Sequence, residues 1–268
     1  MSWTETVLAL QDLPCTGEVI AFNEVDSTNS EAISLGMQGA LSGTIVVANR
    51  QLRGRGRLGR TWHSMDGDHI TMSVLWRLPW KALQAPQVTL DTAVSVARCI
   101  EEWRPLQPTL KWPNDVLLAG RKCAGLLGEM RANGTALDFV VIGIGLNVDR
   151  VPDNAPEGLA SIATSMSDGL GHPVDRKDVY VSLVQNLALG YDRLIDRDTF
   201  DRDGWHRYAA TLGHRVTVNS PGTKPFHGTA STLTDMGSLL VRLDNGEERE
   251  VIAGDVLVQT GGDDVIGR

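Results

Sequence analysis

Apolar residues recur along this chain with two periods, and together these periods predict a fold that mixes strands and helices. Short β-branched or apolar runs predict strands at 18–22, 44–48, 69–76, 109–112, 116–118, 124–131 and 137–148. A helix is predicted to end before Pro105, with one apolar face formed by Leu90, Ala93, Val94, Ala97 and Ile100. Thr28 and Glu31 fit a capping box that opens a helix through about Met37. Further helices are predicted over 157–166, 175–195 and 198–210.

The pattern changes at about residue 213, where short strands separated by turns begin. Turn sequences occur at Ser220-Pro221-Gly222, Asp235-Met236-Gly237 and Asp244-Asn245-Gly246, and an Asn-Gly pair between apolar runs is a strong hairpin signal. We expect residues 213–268 to form a small β-barrel that packs on a larger domain, residues 1–212. The larger part lacks a regular βαβ alternation, which predicts an α+β domain with a mixed sheet.

Composition narrows the classes of protein. The 268 residues carry a net charge of −8 with a pI near 5.2, so an acidic surface disfavours nucleic-acid binding. No apolar run reaches the roughly 20 residues that span a bilayer, and the N-terminus lacks the basic segment of a signal peptide. The three cysteines fit neither a zinc site nor a disulfide framework. These features predict a cytoplasmic protein. All six histidines are interpreted as structural or surface residues.

A glycine–arginine loop follows the predicted strand at 44–48, and its core reads Gly54-Arg55-Gly56-Arg57-Leu58-Gly59-Arg60. Glycines allow close backbone approach, successive N–H groups bind anions, and guanidinium groups match carboxylates and phosphates. An anionic ligand is therefore predicted. The run also resembles a nucleotide phosphate loop, but that motif requires a lysine and a following helix, and neither is expected here.

Three other runs carry polar side chains at turns or strand ends. Lys111-Trp112-Pro113-Asn114-Asp115, followed by Arg121-Lys122, is alone also compatible with an ordinary surface hairpin. Gly143-Ile144-Gly145-Leu146-Asn147 predicts either close approach of a ligand, with the Asn147 amide at an adenine edge, or a simple bulge. Asp26-Ser27-Thr28-Asn29 suits a small polar ligand or plain helix capping.

Taken together and in this order, with Arg-Lys-x-Ala-Gly-x-Leu-x-Glu over 121–129, these motifs resemble the biotin–protein ligase family. The resemblance implies a mixed-sheet catalytic domain with a C-terminal SH3-like barrel. It implies that biotin is adenylated with ATP and Mg²⁺ to biotinyl-5'-AMP, releasing pyrophosphate. Biotin then passes to a lysine of a biotin carboxyl carrier domain of a carboxylase. The enzyme would be a monomer or a homodimer.

The resemblance also implies roles for individual residues. Biotin would be bound by Ser27, Thr28, Asn29, Gln51, Gly54, Arg55, Gly56, Arg57, Lys122 and Gly125. The nucleotide would be bound by Arg57, Arg60, Trp62, Asn114, Lys122, Gly143, Gly145 and Asn147. Catalysis would depend on Lys122, Arg57, Lys111 and Asp115. The ligands of Mg²⁺ are not predicted from the sequence.

One departure from the family pattern is Leu58, where relatives often carry another arginine, and it affects how tightly the loop would retain the adenylate. The stretch before Asp26 is too short and acidic for a winged-helix domain, so no repressor activity is expected. Two alternatives stay open. The first is a lipoate–protein ligase of the same general fold, and the second is a regulator that senses biotin or its adenylate without catalysis.

Overall fold

The larger of two sheets forms the centre of the molecule in the computed structural model, which describes residues 3–63, 69–150, 158–220, 222–259 and 265–266. Its strands are β1 (Val19–Val25), β2 (Thr44–Gln51), β3 (His69–Trp76), β4 (Pro108–Lys111), β5 (Asp115–Leu118), β6 (Arg121–Asn133) and β7 (Ala136–Asn147). They lie in the order β1-β2-β3-β7-β6-β5-β4. The pair β1–β2 is parallel and the others are antiparallel, which confirms the mixed sheet.

Helices cover both faces of this sheet. They are α1 (Trp3–Gln11), α2 (Thr28–Met37), α3 (Ala85–Glu101), α4 (Leu159–Ile162), α5 (Met166–Leu170), α6 (Arg176–Arg197) and α7 (Arg202–Tyr208). Every residue of β3 is buried, because its alternate side chains enter two cores. Val74 joins the core under α3 and α6, whereas Leu75 joins the smaller core under α2. No helix among the described residues is both long and apolar enough to cross a bilayer.

The helices differ from the prediction in two places. Helix α1 was not predicted, although it packs on α6 and its Trp3 indole donates a hydrogen bond to the Phe22 carbonyl (3.0 Å). The segment predicted as one helix over 157–166 instead holds α4 and the start of α5, with residues 163–165 outside both. The break arises because Ser165 caps α5 and accepts a hydrogen bond from the Asp168 amide. Residue 157 lies outside the described residues.

The second sheet is formed by the C-terminal segment, as expected from its turns. Its strands are β8 (Arg215–Asn219), β9 (Phe226–Leu233), β10 (Leu239–Arg242), β11 (Glu248–Val251), β12 (Asp255–Gln259) and β13 (Val265–Ile266). All neighbours are antiparallel, in the order β11-β10-β9-β8-β12-β13. Gly237 and Gly246 adopt the positive φ that their predicted turns require, at 82° and 86°. Pro221 of the third turn lies outside the described residues.

The two sheets meet at a tryptophan. Trp112, at the end of β4, is only 2% exposed. Its backbone N–H donates to the Thr211 hydroxyl (2.9 Å), and its indole N–H donates to the carbonyl of Gly237 in the second sheet's β9–β10 turn (3.0 Å). Because both polar groups of this large residue are satisfied, it can be buried at the junction without an unpaired donor.

Candidate active site

A cavity of about 540 Å³ opens where the larger sheet, residues 53–60 and the second sheet meet. We refer to residues 53–60 as the Gly-Arg loop. The cavity is lined by every site residue predicted from the sequence except Gly54. Gly54 instead lies behind the wall, where a Cβ would fall 2.3 Å from the Trp62 carbonyl oxygen. Its missing side chain therefore allows the two ends of the loop to approach each other.

One end of the cavity is a polar recess formed by Ser27, Thr28 and Gln51. Thr28 does not cap its helix: Ser27 occupies the N-cap position and makes no side-chain capping bond. The predicted capping box is therefore wrong, because β2 recruits Thr28 instead. The amide and hydroxyl of Thr28 donate to Gln51 Oε1, at 2.8 and 3.1 Å. Gln51 lines the cavity, and among the described residues its amide nitrogen has no hydrogen-bond acceptor.

Asn29 supports this recess from behind. Its Nδ2 donates to the Leu127 carbonyl (3.1 Å) and to Glu129 Oε2 (2.8 Å), and its Oδ1 accepts from the Ser73 hydroxyl (2.6 Å). A Cβ on Gly143 would lie 2.2 Å from Asn29 Oδ1. Gly143 therefore makes room for the Asn29 side chain. With both amide hydrogens and the oxygen already bound, Asn29 orders the recess instead of offering free groups to a ligand.

The Gly-Arg loop forms one wall of the cavity and is fastened at both ends. Arg55 pairs with Thr61 in an antiparallel bridge, and the Gly56 amide donates to the Arg60 carbonyl (2.7 Å). On one side, the Arg55 guanidinium forms a two-point ion pair with Glu129. At the loop's centre Leu58 has a φ of 55° and is 55% exposed. Leu58 is therefore directed to solvent and does not line the cavity.

The other side of the loop is held by the second sheet. Arg57 donates to Asn114 Oδ1 (3.1 Å) and to the Gly254 carbonyl (3.4 Å), and Arg60 forms a close ion pair with Asp255. Burial holds the pKa of Arg57 below its ordinary value, and the nearby Asp255 and Asp115 carboxylates partly oppose that shift. The cavity is therefore completed by a part of the chain in which the sequence showed no site residue. Turn composition identified the small sheet but gave no sign that Asp255 faces the loop.

Two lysines converge on Asp115, the first residue of β5. Lys122 Nζ lies 2.5 Å from Asp115 Oδ1. Lys111 is 8% exposed, and burial lowers its pKa while the Asp115 carboxylate opposes that shift. Asn114 is fixed beside them, because its Nδ2 donates to the Leu126 carbonyl (2.7 Å). The turn between β4 and β5 therefore concentrates positive charge at the cavity, which favours a bound anion.

The central strands form a floor without side chains, and Trp62 lies on it. Gly125 of β6 and Gly145 of β7 are paired across the sheet. A Cβ on Gly145 would lie 2.2 Å from the Trp62 ring, and one on Gly125 would lie 3.1 Å from it. Lys122 Nζ is 5.8 Å from the ring centroid. The glycines predicted to permit close approach of a ligand thus admit an indole in this structure.

The far end of the cavity carries Asn147 and a histidine that the sequence interpretation did not assign to the site. Asn147 Nδ2 donates to the Thr164 carbonyl (2.9 Å). His69 faces it from the paired position on β3 and is 5% exposed. Burial lowers the pKa of His69 to about 4, so its imidazole is neutral at pH 7. The alternation of β3 could have placed His69 on the same face as Thr71, which also lines the cavity.

Comparison with known proteins agrees with this geometry. Residues 21–147 match the model of the biotin/lipoate A/B protein ligase family, and residues 211–258 match the biotin protein ligase C terminal domain. The bifunctional ligase/repressor BirA of Bacillus subtilis is 36% identical over 86% of this chain and 71% of its own length. The biotin–[acetyl-CoA-carboxylase] ligase of Mycobacterium tuberculosis is 35% identical over 87% of this chain and 86% of its own. Aquifex aeolicus biotin protein ligase, solved with biotin and ATP, superposes with a TM-score of 0.74 at 29% identity, covering 90% of this chain and 98% of that one.

Proposed function

Because this chain belongs to the biotin protein ligase family, we propose that it adenylates biotin with ATP and transfers the biotinyl group to a lysine of a carrier protein. The observation that carries the proposal is a single cavity with a polar recess at one end and a glycine floor at the other. Lys122, Lys111 and Arg57 line the same cavity. Two anionic substrates that must react with each other require positive charge of this kind where they meet.

In the first step a carboxylate oxygen of biotin attacks the α-phosphorus of ATP. The new O–P bond replaces the bond to the leaving pyrophosphate. The recess of Ser27, Thr28 and Gln51 suits the ureido ring, since it offers hydroxyl and amide groups at fixed positions. Lys122 and Arg57 would offset the charge that the carboxylate and α-phosphate bring together. Asp115 would hold Lys122 in place beside the reacting atoms, and Lys111 would add a further positive charge there.

The nucleotide would occupy the other end of the cavity. Gly143 and Gly145 seat the Asn29 and Trp62 side chains there, Asn147 would meet the adenine, and Trp62 would cover the adenylate. Asn114 and Arg60 border the same region. In the second step a lysine amine of the carrier attacks the acyl carbon of biotinyl-5'-AMP. An amide bond forms, the bond to AMP breaks, and the amine proton leaves to solvent. Gly56, with Gly54 behind it, gives the loop the tight turn that shields this reactive anhydride from water.

Magnesium fits the site as a companion of the nucleotide. No group of three or more acidic, cysteine or histidine side chains suited to a metal occurs among the residues that the structure describes. In nucleotide sites Mg²⁺ needs only one or two carboxylates, with phosphates and water completing its shell. Asp115 would hold it, and the ion would neutralise phosphate charge when bound.

The acceptor is proposed to be the biotin carboxyl carrier domain of a carboxylase, since two relatives are named biotin–[acetyl-CoA-carboxylase] ligases. We assign the chemistry to residues 1–212 and the closure of the cavity to residues 213–268. The loop and the recess favour biotin over lipoate. A protein that only senses biotin would not need two lysines and an arginine in the same cavity, because it does not bring the carboxylate of biotin to a phosphate.

Mass spectrometry of a carrier domain incubated with this protein, ATP, Mg²⁺ and biotin tests the proposal. We expect the carrier to gain the mass of one biotinyl group only when ATP is present. A parallel incubation with lipoate should leave the carrier unlabelled. Labelling by lipoate alone would transfer the proposal to the lipoate ligases. Biotin binding without pyrophosphate release would favour the sensor.

A further inference from the structure

Glu129 is the last residue of the 121–129 motif, and none of the steps above uses it. It lies in the middle of β6, paired with Val141 of β7, and its side chain is 27% exposed. Glu129 does not line the cavity itself, but it lies directly behind Arg55 and Asn29, which do. An unpaired carboxylate so close to a site for two anions would oppose their binding. Its partners therefore indicate what it does.

The carboxylate of Glu129 accepts three hydrogen bonds from two functional segments. Oε1 accepts from Arg55 Nη1 (3.0 Å), while Oε2 accepts from Arg55 Nη2 (2.9 Å) and from Asn29 Nδ2 (2.8 Å). Arg55 Nη2 also donates to the Ser30 hydroxyl (3.2 Å). The Arg55 side chain is therefore bound along the start of α2, and its charge is balanced before any ligand arrives.

The same carboxylate is connected to the polar recess. Asn29 Oδ1 lies 2.6 Å from Ser73 Oγ, which lies 2.7 Å from Thr28 Oγ1, and Thr28 donates to Gln51. Since Asn29, Thr28 and Ser73 are buried, this chain of bonds has little freedom to rearrange. The recess and Arg55 of the Gly-Arg loop are thus both held by Glu129 and Asn29.

We propose that Glu129 is a positioning residue that fixes the Gly-Arg loop over the occupied recess through Arg55, so that the adenylate is retained until the carrier arrives. This role rests on the proposed function. Arg55 acts through its bond to Glu129, while Arg57, Lys122 and Lys111 supply the positive charge. Loss of Glu129 releases the end of the loop that carries Arg55, whereas the ion pair between Arg60 and Asp255 still holds the other end.

The experiment compares Glu129→Ala and Glu129→Gln with the unaltered protein in three measurements. They are the dissociation rate of biotin, the single-turnover rate of adenylation, and the ratio of pyrophosphate released to carrier labelled. Glu129→Ala should raise the dissociation rate and the ratio roughly three- to tenfold, the effect of one partly exposed ion pair with its hydrogen bonds. The adenylation rate at saturating substrates should change less than about twofold, because no reacting group is lost. Glu129→Gln keeps an acceptor for Arg55, so its dissociation rate and its ratio should lie between those of Glu129→Ala and of the unaltered protein.

Asp244→Ala is the matched control, because Asp244 forms a similar two-point pair with Arg215, at 2.8 and 2.8 Å, on the second sheet. It should leave all three measurements unchanged. Arg55→Ala should also raise the biotin dissociation rate and the ratio of pyrophosphate to labelled carrier, and adding Glu129→Ala to it should raise them no further. Thermal melts of each variant check that the fold is kept; if Glu129→Ala does not fold, Glu129→Gln carries the test.

Two outcomes would overturn the proposal, and they are distinguishable. Variants with an unchanged ratio and unchanged biotin dissociation, alongside an active parent protein, would leave Glu129 a merely structural residue. An unaltered protein that releases no pyrophosphate with biotin and ATP would contradict the proposed function itself, and the role of Glu129 with it.

Discussion

Lys122 and Asp115 form an ion pair at the cavity, with Nζ 2.5 Å from Oδ1. The two residues are brought together by strand pairing, since Asp115 begins β5 and Lys122 lies near the start of β6. The pair keeps the ammonium group in place before substrates bind. Once a carboxylate and a phosphate enter the cavity, the same ammonium group can move to them with little reorganisation.

Replacement of this lysine is expected to stop the chemistry without disturbing the fold. Lys122→Ala should lower the single-turnover adenylation rate by about 100-fold or more, because charge stabilisation at the reacting atoms is lost. Biotin-dependent pyrophosphate release measures this rate. Lys224→Ala removes an exposed lysine from the connection between β8 and β9 and serves as the control. A normal rate in Lys122→Ala would refute the role assigned to Lys122.

A methyl group on the cavity floor should act through Trp62. Gly145→Ala would place a carbon 2.2 Å from the Trp62 ring and force the indole away. We expect affinity for ATP, measured by calorimetry in the presence of biotin, to fall by about tenfold. In a Trp62→Ala background the same substitution should cost much less, because the clash is gone. Equal losses in both backgrounds would mean that Gly145 makes room for the nucleotide alone.

The buried imidazole of His69 predicts a dependence of stability on pH. Its pKa is about 4 in the folded protein, against 6.5 in an unfolded chain, so the unfolded state binds the proton first. The contribution of His69 to stability is therefore complete above about pH 6.5. It is lost as the pH falls towards 4, by on the order of 2–3 kcal/mol.

Urea unfolding of the parent protein and of His69→Gln between pH 4 and 7 measures this contribution. The difference between the two should change with pH, whereas exposed His172→Gln should follow the parent. The comparison with a variant is necessary because the titration of Asp91 changes the free energy of unfolding with pH in the direction opposite to that of His69. Burial raises the pKa of Asp91 to about 6, so its contribution falls as the pH rises from about 4 to 6. A His69→Gln curve parallel to the parent's would contradict the prediction.

The junction between the sheets should depend on one indole N–H. Trp112→Phe removes the donor to the Gly237 carbonyl and leaves a small void, at an expected cost of about 1–3 kcal/mol in the free energy of unfolding. Urea unfolding measures the loss. Trp103→Phe, at a half-buried tryptophan near the end of α3, should cost less. If both substitutions cost the same, the hydrogen bond to Gly237 is not what holds the junction.

Local pattern carried much of the fold. β3 has the predicted bounds, 69–76, and α2 ends at Met37 as predicted, although its N-cap is Ser27 and not Thr28. Strong periodicity and turn chemistry determine such elements over short stretches of chain. Helix α1 was missed because its stability comes from contacts made far along the chain, such as the Trp3 indole against Tyr180.

The sequence predicted which residues form the candidate site, but not the hydrogen bonds and ion pairs that connect them. Spacing placed Thr28 and Glu31 in a capping box, yet the Thr28 hydroxyl donates its hydrogen bond to Gln51 Oε1 instead. Asp255 reaches the Gly-Arg loop across 195 positions of the chain. Partners so far apart are chosen by the packing of whole sheets, which no local pattern encodes.

The Gly-Arg loop, held by Glu129 on one sheet and by Asp255 on the other, has a consequence for how this protein tolerates mutation. A genetic screen for loss of carrier labelling should recover substitutions in the small sheet alongside those around the cavity. Substitutions of Asp255 or Gly237 would then impair carrier labelling, although both residues lie in the small sheet and outside the larger sheet that holds the reacting groups. We therefore expect residues of the two sheets that contact this loop to change together over evolution, because both sheets contribute to its support.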